Sequence, residues 1–205
     1  MVVVANIFNT ILTEGEKQGL DIRAEASRNW FRTAAAKAQI SPEAIFKTDL
    51  KKLTVLPRLG HMYFFRYDPK GKDSLPYYDT YPLIFPFAGT KTTGPLSGSG
   101  FMGINFHYLP FRLRARLMDA LHSLASDSNY DEKTRLVMTY KILNKMSRAH
   151  MFAPCVKQYL FAHVKSKFFH IESKDWNVAL FLPIQRFVGA SATIIHRNSV
   201  NSLTG

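Results

Sequence analysis

Three aspartates in one turn-rich segment, Asp68, Asp73 and Asp79, are the first residues whose type and spacing could do chemistry. Clustered carboxylates gather a divalent cation in the way that metal-dependent nucleases use. Asp68 and Asp73 also occupy turn positions where aspartate is favoured for its backbone hydrogen bonds, and that structural reading takes precedence. The histidines at 61, 107, 122, 150, 163, 170 and 196 contain no His-x-x-x-His pair, the spacing that presents two ligands on one helical face. Cys155 stands alone, which excludes an internal disulfide and a zinc site of paired thiolates, and without a nucleophile signature around it the residue reads as small, helical and buried. The glycine-rich stretch GTKTTGPLSGSG lacks the Gly-Lys-Ser/Thr ending of a phosphate-binding loop, so nucleotide binding is not indicated. His107 and Tyr108 form a polar and aromatic pair at the end of FMGINF, read as a hydrogen-bonded core histidine beside a packed tyrosine. No catalytic residue, cofactor or metal ligand is assigned, and the expectation is a protein that is not an enzyme.

Charge is the stronger signal. The 205 residues carry 27 Lys and Arg against 15 Asp and Glu, a formal net charge of +12, so an acidic partner must be considered. Residues 111 to 170 hold eleven of the cations against four acids, whereas residues 1 to 40 hold five against four. Arg112 and Arg116, then Lys141, Lys145 and Arg148, then Lys157, Lys165 and Lys167 are the candidate contacts to nucleic acid or to an acidic partner. Arg114 shares that segment, but residues two apart on a helix are turned by about 200°, so 112, 114 and 116 cannot all meet one ligand. Groove-reading motifs and aromatic RNA-binding signatures are absent.

The elements that must position these residues follow from periodicity. Val4, Ile7, Phe8, Ile11 and Leu12 form an apolar stripe on a short helix ending near Gly15, read either as packing on its own core or as an arm docking on a neighbouring subunit. Asp21 to Gln39 is rich in helix formers, and Ser41-Pro42-Glu43 is a start signal for a third helix over Pro42 to Thr48. HMYFFRY, YPLIFPF and FMGINFHY read as strands, with YDPKGK as the turn reversing the chain between antiparallel neighbours. Prolines 76, 82 and 86 in LPYYDTYPLIFPF require that strand to be an edge, bulged, or to begin at a proline. Helices are expected from Pro110, from Asp131-Glu132 after a break at Asp127-Ser128-Asn129, and from Pro154 to about Val164; KFFHIE reads as a strand. The fold class is α+β, a small antiparallel sheet or SH3-like barrel at about 57–109 packed with N-terminal and C-terminal helices. The domain reading is a helical arm at 1–50, a β-rich subdomain at 57–109, a basic helical subdomain at 110–190 and a polar tail at 191–205.

Nothing approaches 18 consecutive apolar residues, and MVVVANIFNTILTEGEK has neither a basic start nor a small-residue cleavage site, so neither a membrane span nor a secretory signal is expected. The strings MYFFRYDPKGKDSLPYYDTYPLIFPF, GFMGINFHYLPFRLRARLMDAL, FAPCVKQYLFAHVKSKF and WNVALFLPIQRFVGA, in that order, resemble a conserved protein family of T4-like contractile-tailed bacteriophages, including marine and cyanobacterial ones. The resemblance covers about residues 57 to 197. It implies a virion protein of the tail, baseplate or head, assembled in the host cytoplasm, or a DNA-binding protein linked to packaging. Sixteen Phe and nine Tyr supply the apolar contacts that an assembly subunit needs, which makes a tail or baseplate component held by other virion proteins in a symmetric assembly the first expectation. The second is a DNA-binding protein that protects or caps packaged ends through the basic helical half.

Overall fold

The computed structural model describes residues 6–89, 99–125, 132–147 and 150–204. Val4, Arg148, most of the glycine-rich stretch and the break at Asp127 to Asn129 lie outside the described residues, as does the side chain of Leu124.

Three helices open the chain: α1 (Ile7–Lys17), α2 (Glu25–Lys37) and α3 (Pro42–Thr48). Each has a local cause. Asn6 caps α1 by accepting from the Phe8 amide at 3.1 Å, and Ser41 caps α3 by accepting from Ala44 at 3.2 Å, with Pro42 inside the first turn. The apolar stripe of α1 turns inward, so that Phe8 and Ile11 are buried in the chain's own core and Ile7 and Leu12 pack against it. Gly15 lies on the same side, where a Cβ would come within 2.3 Å of the Phe31 ring. Its missing side chain is what lets α1 approach α2.

The sheet is antiparallel, with strands β1 (Leu53–Thr54), β2 (Met62–Phe64), β4 (Leu83–Gly89), β5 (Gly100–Asn105), β6 (Val156–Leu160) and β7 (Phe168–Ile171) in the order β1-β7-β2-β4-β5-β6. β3 (Tyr78–Asp79) pairs with β8 (Phe187–Val188) in a separate two-stranded ladder. The α+β class holds, and of the two sheet forms expected the open one is found: β1 and β6 are the two edges and no barrel closes. The sheet also reaches beyond 57–109, because β6 and β7 come from a stretch read mainly as helical. β4 is internal, and its ladder accommodates Pro86 by a register shift between Pro86 and Ala88, the bulged solution. YDPKGK lies between β2 and β4, which pair antiparallel as expected, although the connection also carries β3 and is longer than a tight hairpin.

The helix expected from Pro154 to Val164 is replaced by a 3-10 turn at His150–Cys155, then β6, then a 3-10 turn at Phe161–His163. The residues from Val156 to Leu160 pair with β5 over five register positions, and that ladder overrides the helix propensity of Lys and Gln. Period-two alternation divides the sheet's side chains between its two faces. Met62, Phe64, Leu83, Phe85, Phe169 and Ile171 join the main core, which the helices α1, α2, α4 (Phe111–Ala125), α5 (Glu132–Ser147) and α6 (Trp176–Phe181) also enter. Tyr63, Phe65, Ile84, Phe101 and Phe168 form a second, mainly aromatic cluster with Tyr67 and Tyr159.

The tail from Ser191, expected to be polar and weakly patterned, forms α7 (Ala192–Thr204). Ile195 and Ser199 are buried four residues apart on one side, and His196 Nε2 lies 2.9 Å from the His107 carbonyl, so the segment orders against its own chain. Among the described residues no helix is long and apolar enough to cross a membrane.

Burial holds three histidines neutral. It pushes His107 and His196 below their usual range and His170 down to about 4, with His61 adding to the effect at His170, where the two rings meet at 3.2 Å. The unfolded chain therefore takes up protons before the folded one as pH falls from about 6.5. Stability is full above that pH and declines toward pH 4. Urea midpoints should fall over this window, and His170→Gln should flatten the decline; midpoints that stay level would contradict the assignment.

A candidate nucleic-acid interface built on two clefts

Asp79 organises the site. Its Oδ1 accepts from the amides of Tyr81 at 3.0 Å and Arg186 at 3.3 Å. Its Oδ2 accepts from Asn105 Nδ2 at 3.2 Å and from the Nδ1–H of His107 at 2.7 Å. Asn105 also donates to the Tyr159 hydroxyl at 3.1 Å and accepts from the His107 amide at 2.9 Å. Asp79, Asn105 and His107 are all buried. Arg114, read from sequence as one of three arginines around a helix, points inward: its Nε and Nη2 donate to the carbonyls of Leu109 and His107 at 2.7 and 3.0 Å. Burial lowers its pKa to about 10, which leaves the guanidinium charged and places its positive charge in the same interior as Asp79.

The three aspartates do not converge. Asp79 is committed to this network, Asp68 takes an exposed ion pair from Lys72 Nζ at 3.2 Å, and among the described residues no three His, Cys, Asp or Glu side chains gather as a metal site would require. Cys155 is buried as read, at the end of a 3-10 turn rather than inside a helix, and burial pushes its thiol up to about 12. With so little thiolate, its reaction with a thiol reagent at pH 8 should be at least about a hundredfold slower in the native protein than in urea. Comparable rates in the two states would contradict this burial.

The network fixes a cleft of about 230 Å³ beside it. Tyr67, Tyr77, Tyr78, Tyr108 and Tyr159 line it with Lys157 and the buried Asp79. β6 places Lys157 and Tyr159 two residues apart on one side, and the Lys157 ammonium sits 4.2 Å from the centre of the Tyr108 ring. Burial lowers the Lys157 pKa and raises that of Tyr108.

A second cleft, of about 330 Å³, lies across the strip where Tyr67 bridges Val164. Arg66, Lys165, Ser166 and Lys167 line it, together with Phe46, Leu53, Tyr81 and one acid, Glu43. Three hydrogen bonds tie the strip together: Arg66 N to Ser166 Oγ at 2.9 Å, Lys165 N to Arg66 O at 2.8 Å, and Asp68 N to His163 O at 3.0 Å. Glu43 accepts from the Tyr81 hydroxyl, which holds its carboxyl below the usual range, with Arg186 contributing from nearby. Arg66, Lys165 and Lys167 are exposed, and among the described residues none of them forms an ion pair.

The other sequence candidates are dispersed. Arg112 and Arg116 are exposed one turn apart on α4, and Lys141 and Lys145 likewise on α5. The structure thus gathers Lys165 and Lys167 with Arg66, and places Lys157 in the neighbouring cleft. Arg66 and the tyrosines were missed as site residues. The available signal was that LPYYD, NFHYLP and VKQYL each pair tyrosine with a charged or amide residue at or next to a strand.

An α+β fold with an open antiparallel sheet, an exposed basic cleft and an adjoining tyrosine cleft has the features of a nucleic-acid-binding protein. A family model, described as the phage T4 terminal DNA protecting protein, matches residues 1–199, and the chain belongs to that family. No curated protein and no solved structure matches it. Membership confirms the resemblance to T4-like phage proteins and favours the end-protecting expectation over a tail or baseplate component.

Proposed function

We propose that this protein caps the ends of phage duplex DNA and shields them from exonucleases, and that it travels with the DNA in the phage particle. The match to the terminal DNA protecting family over residues 1–199 carries the reading. The three unpaired cations of the second cleft supply the chemistry, because each Lys or Arg placed on a phosphate releases condensed counterions and adds to affinity. A tightly hydrogen-bonded strip presents them with little ordering cost on binding.

The test is competition between linear duplex and a covalently closed circle of the same sequence, coupled to exonuclease digestion. End capping requires that the linear form be bound preferentially and degraded more slowly in proportion to occupancy. Equal binding to the circle, or unprotected ends at saturation, would overturn it.

A further inference from the structure

We propose that the tyrosine cleft takes the terminal nucleotide of the DNA end, with its base against the tyrosine rings and its phosphate on the Lys157 ammonium. The inference rests on the end-capping reading and adds how an end is told from the middle of a duplex.

Aromatic faces bind bases of any sequence by stacking, which suits a protein that must accept whatever base terminates the DNA. Five tyrosines line a space of about 230 Å³, in which Tyr77 and Tyr78 are partly exposed and Tyr67, Tyr108 and Tyr159 are buried, so that one flat heterocycle can lie against the first two. The mouth is open to solvent, with Gln158 exposed and Leu75 44% exposed at its rim. Among the described residues Lys157 is the one cation on the lining, and its ammonium sits over the face of Tyr108. Asp79, the one carboxylate among the described lining residues, already accepts from Tyr81, Arg186, Asn105 and His107. The ammonium keeps its donors for an incoming anion. A frayed or overhanging terminal base can enter without breaking a stack on both sides, whereas an internal base would first have to be flipped out, which costs unpairing and unstacking. The basic cleft lies just across the strip at Tyr67, so the same duplex can meet Arg66, Lys165 and Lys167 while its last nucleotide occupies the tyrosines.

The experiment uses the full chain and linear duplexes carrying a one-nucleotide overhang. Three probes are compared: the intact overhang, the same overhang made abasic with its phosphate retained, and the overhang without its terminal phosphate. Loss of the base should weaken binding about tenfold, and loss of the phosphate should also weaken it, while an abasic site far from the end should have no effect. Tyr77→Ala should erase the difference between intact and abasic ends, and Lys157→Met the difference made by the phosphate. Leu75→Arg, at the exposed rim, should obstruct entry in a variant whose core is untouched. Equal affinity of the wild-type protein for intact and abasic ends would overturn the proposal. If linear duplex is still preferred over the closed circle in that case, end capping stands and only the terminal-nucleotide pocket fails; loss of that preference would remove both.

Discussion

Asp79→Ala is expected to destabilise this protein by about 3–5 kcal/mol, the range for removing one partner of a buried, hydrogen-bonded charge group. The substitution leaves two backbone amides, the Asn105 amide and the His107 Nδ1–H without their acceptor, in an interior where Arg114 is also buried. Each unsatisfied buried donor costs about 1–3 kcal/mol, and local rearrangement recovers only part of the sum. For a chain of this length the melting temperature should fall by at least about 6 °C. Asp79→Asn should cost less, because it keeps an acceptor oxygen while removing the charge. Urea denaturation of the three proteins measures the difference, and an alanine variant within about 0.5 kcal/mol of wild type would mean that the network is not a structural centre.

The second large effect concerns binding. Replacing Arg66, Lys165 and Lys167 together by glutamine should reduce the slope of log affinity against log salt by about 2.7, since each phosphate contact contributes about 0.9. The loss should be greatest at low salt and fade as salt rises. All three side chains are exposed and among the described residues form no ion pair, so stability should change little and a loss of binding can be read as a loss of contact. The parallel substitution of Arg112, Arg116, Lys141 and Lys145 separates the alternatives. A slope that drops only in this second variant would place the duplex along α4 and α5 and remove the basic cleft from the phosphate path.

These two experiments also mark where sequence reasoning reached the site and where it stopped. Lys157, Lys165 and Lys167 were identifiable as cations in a basic half, but Arg66 stands about a hundred residues earlier and joins them through the Ser166 hydroxyl and the Tyr67 bridge. Asp79 drew attention as one of three carboxylates, for a chemistry it does not perform in this fold. Its partners at 81, 105, 107 and 186 lie on three separate parts of the chain, and no local spacing relates them. His107 and Tyr108 were legible as a core histidine beside a packed tyrosine from their place at the end of the strand FMGINF.

What the sequence alone determined is what short-range interactions control. The Ser41 cap and Pro42 fix α3, the three-and-four stripe of Ile7, Phe8, Ile11 and Leu12 fixes which side of α1 is buried, and the runs of aromatic and β-branched residues fix β2, β4 and β5. Those preferences act within a turn or two of the chain and survive in any tertiary context that buries the apolar side. Only the tertiary structure decided that Val156 to Leu160 is a strand, that residues 192–204 are a helix, and which cations share a cleft. In each case the deciding partner is remote: the open edge of β5, the His107 carbonyl and the Arg66 strip supply hydrogen bonds and contacts that local propensity, worth tenths of a kcal/mol per residue, cannot outweigh.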